Sequence, residues 1–324
     1  MIRKKQQYGF SLIEIFVALA VGLFLFAGVM SIFVGMRTTT GETSDYGELQ
    51  ENGRFAVSLL TDDLLRQSFW GDYSGTLDRA SLQAVPDAPT NDCSGDGVNN
   101  ATFPVAVGHF RALWGDTVTT ANIMDCITDA RVGSNTLKDY SDVIQIKRVI
   151  ANPATAFTAG SYYLTTNVNI GTILNGAADA TLNNARSWEY QHHVYYVRED
   201  SQGSEKVPVL MQGRLVNSSM RFEPIIDGIE IIRFMYGVDT DSDGIVNAFV
   251  SADNMTNEDW NNEANRQILA VKVYVLVRNI LPDVKYTNTN TYTLGDLDVT
   301  FNDNYRRLLF SSTVTLYNAG VDAW

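Results

Sequence analysis

The sequence predicts an α+β protein, in which a long N-terminal helix packs on an antiparallel β-sheet. Two observations lead to this class. The first 85 residues contain no proline and carry apolar residues at helical spacing, whereas the later part of the chain contains alternating, β-branched segments. The chain has 324 residues, of which 45% are hydrophobic, so it can fill one large core or two smaller ones.

The first part of the predicted helix is apolar enough to enter a membrane. The stretch from Ile15 to Met36 contains no charged residue over 22 positions, and a helix of that length extends roughly 33 Å. Arg3, Lys4 and Lys5 precede it, so the positive-inside rule predicts a cytoplasmic N-terminus and an exported remainder. No small-residue cleavage site follows the apolar run, which leaves an uncleaved single-span anchor as one interpretation.

The second part of the predicted helix is amphipathic. Leu49, Ala56, Leu60 and Leu64 recur at helical spacing and predict a buried face. The polar residues between them are expected to face solvent: Glu48, Glu51, Arg54, Asp62, Asp63 and Arg66. The two parts could form one continuous helix. Several glycines are expected to make this helix less rigid: Gly28, Gly35, Gly41, Gly47 and Gly53.

The remainder, residues 71–324, is predicted to be a β-rich head with no flexible linker. Residues 76–140 are rich in Gly, Pro, Asn, Asp and Thr and predict long loops with a few short strands. We divide the head into a loop-rich part, 71–200, and a C-terminal sheet, 201–324. The predicted strands are Ser141–Ile150, His192–Glu199, Gly228–Val238, Leu269–Asn279 and Arg306–Asn318.

Composition argues against nucleic-acid binding and catalysis. The chain has 24 basic and 37 acidic residues, a net charge of -13, so it offers no broad cationic surface to a phosphate backbone. Common hydrolase, metalloprotease and phosphate-loop motifs are absent from the sequence, and His192 and His193 would face opposite sides of a strand. Together with His109 they are interpreted as non-catalytic. The five tryptophans are expected to pack in the core rather than form an adhesive face: Trp70, Trp114, Trp188, Trp260 and Trp324.

The two cysteines, Cys93 and Cys126, lie in the part predicted to be exported. In an oxidising compartment they are expected to form one disulfide. The alternative is a pair of unpaired, buried thiols.

The segment DTDSDG, residues 239–244, is a candidate calcium site. Asp239, Asp241 and Asp243 alternate, and Gly244 permits the sharp turn by which such loops bring carboxylates together. Ile245 would contribute its backbone carbonyl. The twelfth position is Val250 rather than Glu, so this would be a strand-loop site and not a helix-loop-helix hand. Its coordination would be completed from elsewhere, with Asp253, Glu258 and Asp259 as candidates; the alternative is a solvated hairpin tip.

The N-terminal stretch KKQQYGFSLIEIFVALAVGL resembles a class III prepilin signal. It combines a basic leader ending in Gly9, then Phe10, then Glu14 within an apolar run. The segments LQENGRFAVSLLTDDLLRQSFWGDY, YGVDTDSDGIVNAFV and RRLLFSSTVTLYN are similar to PilW-type minor pilins, whereas residues 76–200 match nothing recognisable. The resemblance implies a pilin-like lollipop: a leader, 1–9; a helix, 10–70, that crosses the membrane at about 12–36; and a globular head.

The resemblance also implies processing and partners. A prepilin peptidase would cut between Gly9 and Phe10 and methylate the new amine of Phe10, and Glu14 would pair with that amine on a neighbouring subunit. The chain would lie in the inner membrane with its head in the periplasm, and then join other minor pilins, the major pilin and a tip-associated adhesin in a surface fibre. The alternative for Glu14 is a solvated position near the membrane surface. The helix lacks the proline that major pilins carry in its membrane half.

Three functions remain open from sequence. The first is a minor pilin that primes assembly near the tip of a type IV pilus and supports biogenesis, twitching motility or adhesion. The second is a GspJ-like pseudopilin of a type II secretion system, and the third is a membrane-tethered adhesion module that does not polymerise.

Overall fold

The structure is a computed structural model that describes residues 9–95, 97–119, 123–127, 140–202 and 205–318. The chain separates into two compact units, Met1–Glu48 and Leu49–Trp324. Helix and antiparallel sheet are both present, so the predicted α+β class is confirmed.

The first element is a single uninterrupted helix, α1, Leu12–Leu65. Leu49, Ala56, Leu60 and Leu64 are all buried, which confirms the predicted apolar face. The chain turns away soon after the last helical residue, because Ser68 has a left-handed backbone with φ of 56°.

Seven antiparallel strands form the first sheet, in which β5 is the central strand. It pairs with β2, β3 and β6, while β1, β4 and β7 extend the sheet beyond those partners. The strands are β1 Leu113–Thr117, β2 Asp142–Pro153, β3 Tyr162–Thr166, β4 Gly171–Asn175, β5 Arg186–Gln202, β6 Glu205–Val216 and β7 Ser219–Asp227.

A second antiparallel sheet has the order β13-β10-β8-β9, and β11 and β12 form a separate hairpin. These strands are β8 Ile229–Asp239, β9 Ala248–Ser251, β10 Gln267–Arg278, β11 Thr291–Leu294, β12 Leu297–Thr300 and β13 Arg307–Thr315. A short 3-10 helix, Ala252–Asn254, and a one-turn helix, α2, Asn257–Trp260, connect β9 to β10.

The main core combines the buried face of α1 with both sheets. Leu60 of α1, Tyr196 of β5 and Val273 of β10 belong to one cluster of buried apolar side chains. Gly53 of α1 meets the partly buried ring of Phe310 on β13 so closely that a Cβ atom at position 53 would lie 2.1 Å from the ring. This glycine therefore serves close helix–sheet packing, not the helix softening predicted for it.

The strands at Ser141–Ile150, His192–Glu199, Gly228–Val238, Leu269–Asn279 and Arg306–Asn318 are all present, with shifted ends. The predicted division of the head at residue 200 does not coincide with a structural boundary, because β5 and β6 pair on either side of it. The β6–β7 hairpin was missed because its turn uses Asn217 and Ser218, both with positive φ, in place of the usual Asn-Gly signal. Trp70, Trp114, Trp188 and Trp260 are buried as predicted, and Trp324 lies outside the described residues.

Asp63 corrects another expectation. It was assigned to the solvent face of the helix, but only 4% of its surface is exposed. It stays buried because the sheet supplies partners for its carboxylate. One oxygen accepts from Nε of Arg148 at 2.7 Å, while the other lies 2.6 Å from Nδ1 of His193 and 3.0 Å from the hydroxyl of Tyr195.

Candidate functional site

The N-terminal half of α1 presents apolar side chains that nothing in its own unit covers. Phe10 is 84% exposed, and exposed apolar residues continue to Met36. Among the described residues, one helix is long and apolar enough to cross a membrane by length and composition, and that helix is α1. Exposed apolar surface on this scale requires lipid or other protein chains around it.

The predicted cleavage site directly precedes this helix. Gly9 and Phe10 are both non-helical and exposed, with open space around the Cα of Gly9. Residues 1–8, which include Arg3, Lys4 and Lys5, lie outside the described residues. The described part of the junction is thus an irregular, accessible segment of the kind that a peptidase can bind.

Glu14 takes part in a capping box with Ser11. The backbone N–H of Ser11 donates to Oε2 of Glu14 at 2.9 Å, and the backbone N–H of Glu14 donates to Oγ of Ser11 at 3.2 Å. Each side chain thus bonds a backbone N–H at the start of the helix, where donors lack the i→i−4 partner of later turns. The Ser-x-x-Glu spacing of residues 11–14 is the sequence signature of this capping box.

The Asp-rich segment lies between β8 and β9, so the predicted strand-loop setting is correct. Carboxylate oxygens of Asp239, Asp241 and Asp243 lie within 4.8 Å of one another, close enough to hold one metal ion. Gly244 has a φ of 78°, as the sharp turn requires. Ile245 donates its backbone N–H to Oδ1 of Asp243 at 2.8 Å, and its side chain is exposed.

Asp239 is the structural centre of this loop. It is buried, and its two oxygens accept the backbone N–H groups of Asp241, Ser242 and Gly244 at 3.0, 2.8 and 2.8 Å. Burial raises its pKa, but these hydrogen bonds outweigh burial and hold the pKa below its ordinary value. The loop is therefore ordered by its own hydrogen bonds, with an ionised Asp239 at its base.

Two of the three side chains expected to complete the calcium site are committed to other partners. Asp253 pairs with Arg233 at 2.9 Å. Asp259 caps α2 by accepting from Thr256 and also pairs with Arg266. Glu258 is exposed, and the acidic group that could hold a metal among the described residues consists of the three loop aspartates alone.

Comparison with known proteins supplies the deciding observation. Residues 194–318 match the family described as PilW: Type IV Pilus-assembly protein W. This part of the chain is therefore similar to the PilW family, and we call residues 194–318 the PilW-like region. The match begins within β5 and runs past β13, so it includes the whole second sheet and the Asp-rich loop.

A solved structure with some similarity is the Type IV-like pilin TTHA1219 from Thermus thermophilus. The alignment covers 55% of this chain and 79% of that chain, with 13% sequence identity and a TM-score of 0.29. A score this low does not establish a shared fold, so the assignment rests on the family match. No curated protein sequence matches the chain.

The adjacent histidines, His192 and His193, lie just before the matched region and take part in hydrogen bonds within the first sheet and its surroundings. His192 and His193 lie on β5 as predicted, and they serve separate networks: His192 is hydrogen-bonded to Thr102 and Gln145, and His193 to Asp63. The match is to a family of pilus-assembly proteins, which is a structural role. Outside the matched region, Cys93 and Cys126 are joined as a disulfide with Cα atoms 5.0 Å apart.

A buried arginine in the PilW-like region joins the two sheets. The sequence did not predict its role. Arg233 of β8 pairs with Asp142 of β2 at 2.9 Å and with Asp296 of the β11–β12 turn at 3.0 Å. Asp142 also accepts the backbone N–H of Phe234 at 2.8 Å. No local pattern marks these residues, because the partners are separated by up to 154 positions in the chain.

Proposed function

We propose that the chain is a minor pilin of a type IV pilus, a structural subunit that primes assembly and lies at or near the fibre tip. In this role it supports pilus biogenesis, twitching motility or adhesion. Its partners would be the prepilin peptidase, other minor pilins, the major pilin and a tip-associated adhesin. It would be held in the inner membrane with a periplasmic head before it enters the surface fibre.

The observation that carries this proposal is the exposed apolar half of α1 in a chain whose residues 194–318 match the PilW family. Within a membrane, lipid covers such a helix, and within a fibre, the helices of neighbouring subunits would cover it. The family match supports a pilus over a type II secretion pseudopilus or a non-polymerising adhesion module. Cleavage after Gly9 would create the amine of Phe10 that a neighbouring Glu14 could pair with.

The capping box lets the proposed pairing of Glu14 be separated from its local role. Glu14→Gln retains a side chain that can close the box but removes the negative charge. Ser11→Ala removes the hydroxyl from the box and keeps the charge. If Glu14 pairs with an amine in the fibre, Glu14→Gln inserts into the membrane normally but is lost at least ten-fold from sheared pili, whereas Ser11→Ala is recovered close to the unaltered level.

The measurement is quantitative immunoblotting of sheared fibres and of membranes from the same cells. Equal recovery of Glu14→Gln and the unaltered chain would remove the pairing from the proposal. Loss of Ser11→Ala to the same extent as Glu14→Gln would show that incorporation does not depend specifically on the charge of Glu14, and would contradict the pairing.

We also propose that the loop of Asp239, Asp241 and Asp243 binds calcium. The close approach of three carboxylate oxygens supports this, as does the preference of calcium for carboxylate and carbonyl ligands. Ile245 would contribute its backbone carbonyl, and water would complete the coordination. Bound calcium would stiffen the β8–β9 connection in the head.

The experiment titrates calcium into the full-length protein in detergent by calorimetry, with melting temperature as a second readout. We expect heat of binding and a raised melting temperature, both abolished in Asp241→Asn/Asp243→Asn. This double variant leaves Asp239 with the three backbone hydrogen bonds that order the loop. Magnesium should bind more weakly because it requires a tighter octahedral site. If millimolar calcium produced no heat of binding and no thermal shift, the calcium site would be excluded.

A further inference from the structure

A small cavity in the unit 49–324 has no role in the proposed assembly. Its volume is about 60 Å³, and its walls come from segments far apart in the chain. They include Gln67 just after α1, His109 before β1, Trp260 at the end of α2, and Asn318 after β13. This volume would admit roughly four to six water-sized spheres.

The described side chains around the cavity are uncharged, in a protein whose net charge is -13. His109 is the titratable member of the lining. Burial and the nearby positive charge of Arg111 lower its pKa to about 4, so the imidazole is neutral at physiological pH. No described residue hydrogen-bonds the ring of His109, so a neutral donor and a neutral acceptor are both available there. The cavity therefore suits an uncharged polar group and not an ion.

Asn262 supplies an unused acceptor. Its Oδ1 is buried and has no hydrogen-bond partner among the described residues. A buried carbonyl oxygen without a donor costs free energy unless water or a ligand provides one. A ligand in the cavity would therefore need a donor, N–H or O–H, to satisfy this oxygen.

Two rigid aromatic rings form apolar wall. Trp70 is stacked on Tyr190 with ring centroids 6.1 Å apart, and Trp260 meets Tyr236 edge-on at 4.7 Å. Both indoles are almost completely buried, so the wall is preformed and does not need to be ordered on binding. Such a wall favours contact with a methyl group beside the polar atoms.

We propose that this cavity binds an acetamido group, as carried by an N-acetylated amino sugar. The group has four heavy atoms, no charge, one N–H for Asn262, one carbonyl for the neutral imidazole of His109, and a methyl for the indole wall. The sugar ring would remain at the mouth, where the exposed Thr76 and the half-buried Ser68 carry hydroxyl groups. The site acts without reference to fibre formation, so it stands or falls separately from the assembly role.

Saturation-transfer NMR on the full-length protein in detergent tests this site, with N-acetylglucosamine as the probe and glucose as the matched sugar without the acetamido group. We expect millimolar binding of N-acetylglucosamine, with the strongest saturation on its acetyl methyl protons, and none above background for glucose. N-methylacetamide, the amide without the sugar, should bind at the same place more weakly. Absent transfer, or equal transfer to both sugars, would overturn the proposal without recourse to any variant.

Asn262→Gly then locates the site. Asn262 has a φ of 51°, so glycine removes the carboxamide without backbone strain, and Asn265→Gly is a matched control at a φ of 65° outside the lining. Asn262→Gly should weaken N-acetylglucosamine binding at least ten-fold, and Asn265→Gly should leave it unchanged. Unchanged binding in Asn262→Gly would place the sugar elsewhere and refute the assignment.

Discussion

At the scale of single residues, Asp63 shows how a buried charge joins the helix to the first sheet. Burial raises its pKa, but His193 and Arg148 outweigh that effect through hydrogen bonds and positive charge, and the pKa falls to about 2. The carboxylate lies on α1, and its partners lie on β2 and β5. Asp63 thus fixes the end of the helix to the first sheet through ionised hydrogen bonds.

The pH dependence of stability follows from that lowered pKa. Because the folded pKa lies below the unfolded value of 3.8, Asp63 stabilises the fold above about pH 4, and the contribution is lost as the pH falls toward 2. The pKa difference corresponds to about 2 kcal/mol. We expect Asp63→Asn to lower the free energy of unfolding by roughly 2 to 4 kcal/mol at neutral pH, since it also leaves Arg148 without its buried partner.

Asp62→Asn is the matched control, because Asp62 is exposed and forms an i,i+4 pair with Arg66. It should change the free energy of unfolding by less than about 0.5 kcal/mol. Urea denaturation followed by tryptophan fluorescence, from neutral pH to about pH 3, measures both variants. A deficit in Asp63→Asn that stays constant as the pH falls would contradict the ionised role of Asp63.

At the scale of elements, the contact between Gly53 and Phe310 sets how closely α1 approaches β13. Gly53→Ala would place a Cβ atom against the phenyl ring, so we expect a loss of about 1 to 3 kcal/mol in the free energy of unfolding. Gly47→Ala meets open space on the same helix and should give no loss, or a gain of about 0.5 to 1 kcal/mol.

Combining Gly53→Ala with Phe310→Leu should recover part of the loss, since the smaller side chain gives the new methyl group room. Urea denaturation of Gly53→Ala, Gly47→Ala, Phe310→Leu and the double variant measures these differences in the free energy of unfolding. Equal stability of Gly53→Ala and Gly47→Ala would show that the helix does not dock at this distance.

Sequence patterns predicted the elements whose signal is local. Leu49, Ala56, Leu60 and Leu64 are buried because helical spacing leaves one face for the core, and the alternating strand at Leu269–Asn279 became β10. The β6–β7 hairpin escaped prediction because its turn lacks glycine at the left-handed positions. Asp63 and Arg233 escaped because their burial depends on partners far away in sequence. Arg148 lies 85 residues from Asp63, and Asp142 lies 91 residues from Arg233.

The candidate sites divide in the same way. The loop of Asp239, Asp241 and Asp243 was found because its residues are adjacent in sequence, and the structure places their oxygens together. Asp253 and Asp259 were expected to complete the site, but each forms an ion pair with an arginine instead. These ion pairs depend on tertiary packing, which the sequence does not show. The cavity at Asn262 has no sequence signature, since its walls come from six separate segments.

At the scale of the whole molecule, the chain joins surfaces with opposite requirements. The PilW-like region belongs to a unit with its own buried core, whereas the first half of α1 exposes apolar side chains that must be covered by something outside the chain. In the proposed function, lipid would cover these side chains while the subunit lies in the membrane, and neighbouring subunits would cover them in the fibre. In the proposed function, cleavage after Gly9 would create a new amine at Phe10, so the N-terminus is where this function would leave a chemical record.

Mass analysis of the N-terminal peptide from sheared surface fibres tests this central claim most directly. The account predicts a peptide that begins at Phe10 with a methylated amine, present in fibres together with other pilins. A chain that retains Met1 and is recovered in membranes but never in fibres would contradict it and would support a membrane-tethered module instead.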